Sequence, residues 1–225
     1  MSARSLRRRL PLETDFVAAR LKLIEHLQRE IRDERVLSAM ARVPRELFVP
    51  STYWHVAYED RPLPIGAGQT ISQPLIVAMM TEALDLNEHD KVLEVGTGSG
   101  YQAAILAELA DWVVTVERHQ QLAKKAKEAL EKLGYVNVEV HLAEPMLGWQ
   151  HKAPYDAIIV AAGAPHVPQQ LLDQLATGGR MVIPVGSRYE QSLLKVVRED
   201  HGTTTHDLGP CRWVPLIGDE AWSEG

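Results

Sequence analysis

The sequence predicts an α/β fold: a mostly parallel seven-stranded sheet that ends in a β-hairpin and is preceded by a helical extension. Three observations carry this expectation. Beyond Asp90, short apolar runs alternate with stretches of helical periodicity, the pattern left by parallel strands covered on both faces. After Gly186 the helical stretches stop, and two strand-like runs remain with a polar turn between them, which suits an antiparallel hairpin. Upstream, apolar positions recur at helical spacing. At 225 residues the chain holds one substantial core. Residues 1–60 are therefore expected as a helical extension packed on a 61–225 domain, a single structural unit overall.

In chain order, Val17, Leu21, Ile24, Leu27 and Ile31 line one face of an amphipathic stretch over residues 16–40, predicting a helix pair. Pro44 and Pro50 bracket an irregular, aromatic-rich stretch expected to pack against the later domain. Residues 62–74, PLPIGAGQTISQP, carry prolines at both ends, two glycines that admit torsions a β-carbon forbids, and the hydrogen-bonding side chains Gln69, Thr70 and Ser72. Composition alone makes this a stiff surface loop. Residues 73–86 read as a helix with Pro74 in its first turn and Val77, Met80, Ala83 and Leu84 available for burial. Strands are expected at 91–95, 112–117, 136–142, 155–161 and 180–185, with helices near 101–109, 120–133 and 168–175. Strands at 193–198 and 212–217 complete the hairpin.

Lys and Arg total 24 against 30 Asp and Glu, a net charge of −6. Bulk electrostatics therefore draw the chain neither to nucleic acid nor to an anionic membrane. Arg4, Arg7, Arg8 and Arg9 form the one basic cluster; a polar tail accounts for them, and no function is assigned. Leu10 is followed by Pro11, Glu13 and Asp15, so no secretory apolar stretch is expected, and runs such as 157–162 are far too short to cross a bilayer. Cys211 is the only cysteine. It excludes an internal disulfide and suits a reducing compartment, so a cytoplasmic location is expected; a monomer is the expected state. The nine histidines are scattered without metal-ligand spacing, and no metal is expected.

At residues 92–102, VLEVGTGSGYQ, the first parallel strand runs into Gly96, Gly98 and Gly100 and then into a helix. At the carboxyl edge of an open α/β sheet, such a turn lets backbone approach a ligand that side chains would exclude. The spacing is GxGxG, not the GxGxxG of dinucleotide folds. Glu94 precedes it, where a carboxylate repels a pyrophosphate and attracts an amine or sulfonium. Glu117 ends the second parallel strand, placed to accept hydrogen bonds from both hydroxyls of a ribose. Together these residues suggest S-adenosylmethionine, while the glycine run alone leaves NAD open.

PLPIGAGQTISQP and VLEVGTGSGYQ occur in order with VPRELFVP (43–50), APYDAIIVAAGAP (153–165), QLATGGRMVIPVG (174–186) and VPLIG (214–218). This set resembles the protein-L-isoaspartate (D-aspartate) O-methyltransferase family. The resemblance implies a Rossmann-like, S-adenosylmethionine-dependent methyltransferase fold, with S-adenosylhomocysteine as product and isoaspartyl-containing damaged proteins and peptides as partners. The implied reaction esterifies the free α-carboxylate of an L-isoaspartyl residue, with the β-carboxylate of D-aspartyl residues as a further acceptor. The ester then closes to a succinimide whose hydrolysis returns some normal aspartate. Ser72 matches the family's active-site serine. It is assigned to positioning, because no GxSxG elbow surrounds it and an ionised carboxylate needs no strong base. Thr70 and Ile71 are implied at the boundary between cofactor and substrate, and Glu94, Gly96, Thr97, Gly98, Gly100, Glu117 and Glu144 on the cofactor.

Two places depart from the family pattern. Where relatives carry Gly-Asp-Gly against the adenine, this chain has Ala143, Glu144 and Pro145, which keeps a carboxylate but removes an N–H donor and restricts the loop. Ala161 stands where many relatives have Thr and is expected to be a packing change. Methylation of another carboxylate or of a small molecule, and a non-catalytic cofactor-sensing or protein-binding module, are the competing functions. NAD-dependent hydride transfer ranks behind them.

Overall fold

Alternating side chains along the strands build two buried layers. In β3 (Lys91–Val95), Val92 and Leu93 point to opposite faces and both are fully buried, as are Ile158 and Ile159 on β6 (Tyr155–Val160) and Val182 and Ile183 on β7 (Leu175–Gly186). The computed structural model describes residues 13–224, so the basic cluster Arg4, Arg7, Arg8 and Arg9 lies outside the described residues. With β4 (Trp112–Glu117), β5 (Val138–Leu142), β8 (Gln191–Glu199) and β9 (Gly202–Cys211), the sheet has the order β5-β4-β3-β6-β7-β8-β9. The run from β5 to β7 is parallel; β8 pairs antiparallel with both β7 and β9. This is the expected seven-stranded, mostly parallel sheet.

Helices α3 (Pro74–Leu84), α4 (Tyr101–Ala107) and α5 (Gln120–Lys132) contribute Val77, Met80, Ile105, Leu122 and Leu130 to one layer, and α6 (Gln169–Gln174) contributes Leu171 to the other. Against the first layer pack α1 (Glu13–Leu27) and α2 (Glu34–Arg42), the expected helix pair. Its buried face is rotated from the expected one. Leu23, Ile24, Leu27 and Ile31 are buried, but Val17 and Leu21 are 54 % and 56 % exposed. Phe16, edge-to-face with Trp54 at 5.9 Å, and Arg20, which donates to Tyr58 at 2.8 Å, take the inward positions instead.

The segment expected as a loop at 62–74 contains a hairpin. β1 (Leu63–Gly66) and β2 (Gln69–Ile71) pair antiparallel, and Ala67 and Gly68 turn the chain with φ of +51° and +69°. Buried Leu63, Ile65 and Ile71 anchor it, an apolar signal hidden among prolines.

The end of the sheet also differs from expectation. The last strand is β9, reached by a tight turn at Asp200 and His201, and residues 212–217 leave the sheet, with Pro215 bridging to Gly163 in the segment after β6. β9 is an exposed edge strand whose Thr203, Thr204 and Thr205 supply β-propensity without an apolar run. β7 starts earlier than expected, at Leu175, which shortens α6. β5 starts later, because Asn137 turns its amide back onto the carbonyls of Ala107 and Ala110 while Val136 is 86 % exposed.

Candidate active site

The chain winds outward from β3 through β4 to β5 and then returns to β6 on the other side of β3, which opens a crevice at the carboxyl ends of β3 and β6. A cavity of 790 Å³ occupies this place, within the range of small-ligand sites. Its lining comes from residues 94–99, which end β3 and turn beyond it, 116–119, which end β4 and continue past it, the loop after β5, residues 69–73, and the wall formed by 210–217.

The glycine turn is shaped for close approach. Gly96 has φ of +101°, and a β-carbon there would stand 3.3 Å from Ala161 Cβ at the end of β6. Any side chain at 96 would both strain the backbone and narrow the crevice. Ala161 itself lines the cavity, so the position expected to be a packing change is part of the site. Gly98 lies against Ile65 of β1, with 3.6 Å left for a β-carbon. Its N–H donates to Glu117 Oε2 at 2.8 Å, while Glu117 Oε1 accepts from His119 N at 2.9 Å. A carboxylate has about four lone-pair directions, so two remain for a ligand.

Glu94 is fully buried. Thr115 donates to its Oε2 at 2.6 Å, Thr97 continues the chain to Thr115 at 2.6 Å, and Oε1 has no partner among the described residues. Burial pushes the Glu94 carboxyl up to about 8, with the nearby Glu117 charge adding to the effect and the Thr115 hydrogen bond opposing it. The carboxyl is therefore mostly neutral at pH 7 until a cation meets it.

Ser72 follows β2 and lines the cavity with Thr70 and Ile71. Its carbonyl accepts from Arg45 Nη2 at 2.8 Å, and its hydroxyl has no hydrogen-bond partner among the described residues. Beyond β5, exposed Glu144 meets His151 Nε2 at 3.2 and 3.3 Å. The rest of that loop is pinned by α6: Gln170 accepts from Leu147 N at 2.9 Å, and buried Gln174 both accepts from Trp149 N at 2.8 Å and donates to Leu147 O at 2.7 Å.

Of the residues singled out in the sequence, Thr70, Ile71, Ser72, Glu94, Gly96, Thr97, Gly98, Glu117 and Glu144 all line this cavity. Gly100 does not. With φ of +89° it precedes α4, and a β-carbon there would press on Ala126 at 3.2 Å, so its demand is helix packing. Sequence reasoning missed Arg118 and His119, although both follow Glu117 directly, and it did not place Trp213 in the site. Trp213 and Val214 form part of the cavity wall. The segment beyond this wall is held by Arg188, which stacks over Trp222 at 4.9 Å and donates to Ser223 O at 3.0 Å, and by an ion pair between Arg118 and Glu224. Among the described residues there is no group of three or more His, Cys, Asp or Glu side chains arranged to hold a metal, and no helix is long and apolar enough to cross a membrane.

The sequence profile of protein-L-isoaspartate(D-aspartate) O-methyltransferases matches residues 18–221. The chain belongs to this family. A protein-L-isoaspartate O-methyltransferase from Methanoculleus marisnigri is 56% identical over 194 residues, covering 86% of this chain and 88% of its own. Protein-L-isoaspartate O-methyltransferase 1 of Syntrophobacter fumaroxidans is 52% identical over 210 residues, covering 92% and 98%. Among solved structures, a protein-L-isoaspartate O-methyltransferase superposes with a TM-score of 0.80 at 29% identity over 90% of this chain and 67% of its own. A putative member from Plasmodium falciparum, solved in complex with S-adenosyl-L-homocysteine, superposes with 0.76 at 25% identity over 87% and 96%. The Rossmann-like methyltransferase fold is thereby established for this chain.

Proposed function

We infer that this protein transfers the methyl group of S-adenosylmethionine to the free α-carboxylate of L-isoaspartyl residues in damaged proteins, the step that starts their repair. The observation that carries the reading is the meeting of the Ser72 segment and the glycine turn in one cavity, in a chain that matches the family over residues 18–221. The residues present fit the cofactor. The unpartnered, buried Oε1 of Glu94 is an acceptor in need of a donor or cation, Gly96 clears space for close approach, and Glu117 keeps lone pairs for ribose hydroxyls. We assign Glu94, Glu117, Glu144, Thr97 and the backbone at Gly96 and Gly98 to holding it, with Thr70 and Ile71 at its boundary with the acceptor; Gly100 supports the turn from behind.

When bound, S-adenosylmethionine supplies a methyl carbon made electrophilic by its sulfonium. The protein's own task is placement. An isoaspartyl α-carboxylate titrates at roughly pH 3–4 and is ionised near neutrality, so no side chain has to remove a proton from it. Ser72, whose hydroxyl has no hydrogen-bond partner among the described residues, donates to the acceptor and orients it. Ile71, Ile76, Met80 and Val214 give the cavity apolar walls that strip water from the incoming carboxylate.

We further propose that the protein works as a monomer and in the cytoplasm, where the lone Cys211 thiol suits a reducing compartment. Light scattering and cell fractionation test these two points. The activity is tested with a peptide pair. Incubated with S-adenosylmethionine, the isoaspartyl peptide should acquire a base-labile methyl ester and its normal aspartyl counterpart should not; equal methylation of both would overturn the specificity, and methylation of neither the function.

A further inference from the structure

Among the described residues the bulkiest fully buried side chain is a cation, Arg45, and it does not line the cavity. It sits in a short 3-10 turn, residues 45–48, between α2 and β1. Its Nε donates to Ala57 O at 2.9 Å, its Nη2 donates to Ser72 O at 2.8 Å, and its guanidinium lies 4.8 Å from the ring centre of Tyr101, the residue that follows the glycine turn. Nη1 has no partner among the described residues. Burial pulls the guanidinium below the usual arginine value. Burying a cation is costly, and the two carbonyls it satisfies are what an apolar side chain in its place would leave without a donor.

The reason lies in what Arg45 holds. The carbonyl of Ser72 belongs to neither the β1–β2 ladder nor the hydrogen bonds of α3, and Arg45 is its partner. On the other side of Ser72, Asp60 accepts from Leu75 N at 2.8 Å and from Gln73 Nε2 at 3.0 Å. Pro74 has no N–H, so Leu75 presents the first free donor of α3, and Asp60 caps it from a distant part of the chain. A cation and an anion, both upstream of β1, thus grip residues 72–75 from either side.

We propose that Arg45 and Asp60 are positioning residues that fix the backbone on both sides of Ser72 and so aim its hydroxyl at the acceptor carboxylate. This rests on the reading that Ser72 orients the acceptor. The test is a pair of double-mutant cycles with Arg45→Lys, Asp60→Ala and Ser72→Ala, singly and with each of the first two combined with the third. The readings are kcat on isoaspartyl peptide at saturation, calorimetric cofactor affinity and Tm. Lys keeps the charge but loses the fork that reaches two carbonyls. Arg45→Lys and Asp60→Ala should each lower kcat about 10- to 100-fold, the scale set by misplacing a reacting group by about an ångström. Both should leave cofactor affinity unchanged and add almost nothing in the Ser72→Ala background. Full multiplication with Ser72→Ala, a fall in Tm with kcat unchanged, or lost cofactor binding would each overturn the clamp. A Ser72→Ala variant with normal kcat would instead overturn the reading of Ser72, and the clamp with it. Should Arg45→Lys fail to fold, Asp60→Ala decides the matter alone, since the Asp60 side chain is 18 % exposed and its loss leaves no buried cation behind.

Discussion

The backbone N–H of Gly98 donates to Oε2 of Glu117 at 2.8 Å, so the glycine turn after β3 and the end of β4 form one unit. Glu117→Gln places an amide where two backbone donors converge, and only one of them can keep an acceptor. We expect cofactor affinity to fall by about 1–3 kcal/mol, roughly 5- to 150-fold, with kcat at saturating cofactor little changed. Calorimetry with steady-state kinetics checks this; a kcat defect with normal affinity would contradict the assignment.

Glu94 makes the site pH-dependent in a definite direction. Its carboxyl is raised from 4.5 to about 8, so the folded protein holds this proton more tightly than the unfolded chain does. The protonated acid is compatible with burial; the contribution to stability is complete below about pH 4.5 and declines as pH rises through about 8. Relative to Glu94→Gln, the ligand-free wild type should therefore lose Tm steadily between about pH 5 and pH 8. A cationic ligand favours the ionised form, so binding near pH 7 should release a proton from wild type that Glu94→Gln does not release, read by calorimetry in buffers of different ionisation enthalpy. A Tm difference that does not vary with pH would show that Glu94 is not a buried neutral acid.

Gly96→Ala combines a left-handed torsion with a contact against Ala161. It should destabilise the fold by about 1–3 kcal/mol and weaken cofactor binding more than tenfold. Gly134→Ala is the control: its φ of +82° is comparable, but its β-carbon would meet nothing within 4 Å. Loss of cofactor affinity in both variants would mean that the torsion, not the narrowed crevice, is responsible.

Glu144 is exposed and shared with His151, and Pro145 beside it offers no N–H. Replacing the two together, Glu144→Asp with Pro145→Gly, should tighten cofactor binding by about 1 kcal/mol, the net scale of one restored hydrogen bond. An unchanged Kd would show that the loop pinned by Gln170 and Gln174 already presents the carboxylate well.

How legible each element is in the sequence depends on how that element is stabilised. The parallel strands announce themselves because both faces are buried, as at Val92 and Leu93. β9 does not, because an edge strand of Thr203, Thr204 and Thr205 is held by backbone pairing to β8 and carries no apolar run. The β1–β2 hairpin is masked by Pro62 and Pro64, although Leu63, Ile65 and Ile71 anchor it. Glu94 with the glycines, and Glu117, are legible because each signal is local to its own strand end, β3 and β4. The Thr115 bond to Glu94, the reach of Arg45 to Ser72 and the wall at Trp213 join residues far apart in the chain, and no local pattern encodes them.

The two outer strands of the sheet bear on how such an enzyme survives its own substrates. Damaged proteins expose unpaired backbone, and an open sheet edge is a template for it. β9 presents mostly polar, exposed residues and carries Pro210, which offers no donor, one residue before its end, and its pairing with β8 is broken by a register shift between Ser192 and Leu194. At the other edge, Glu139 of β5 is covered by Lys152, His141 and Trp112, which crowd one charged strand with side chains. Neither rim therefore offers the long, flat, apolar edge that templates edge-to-edge pairing, so the open sheet of this family member carries its own protection against extension.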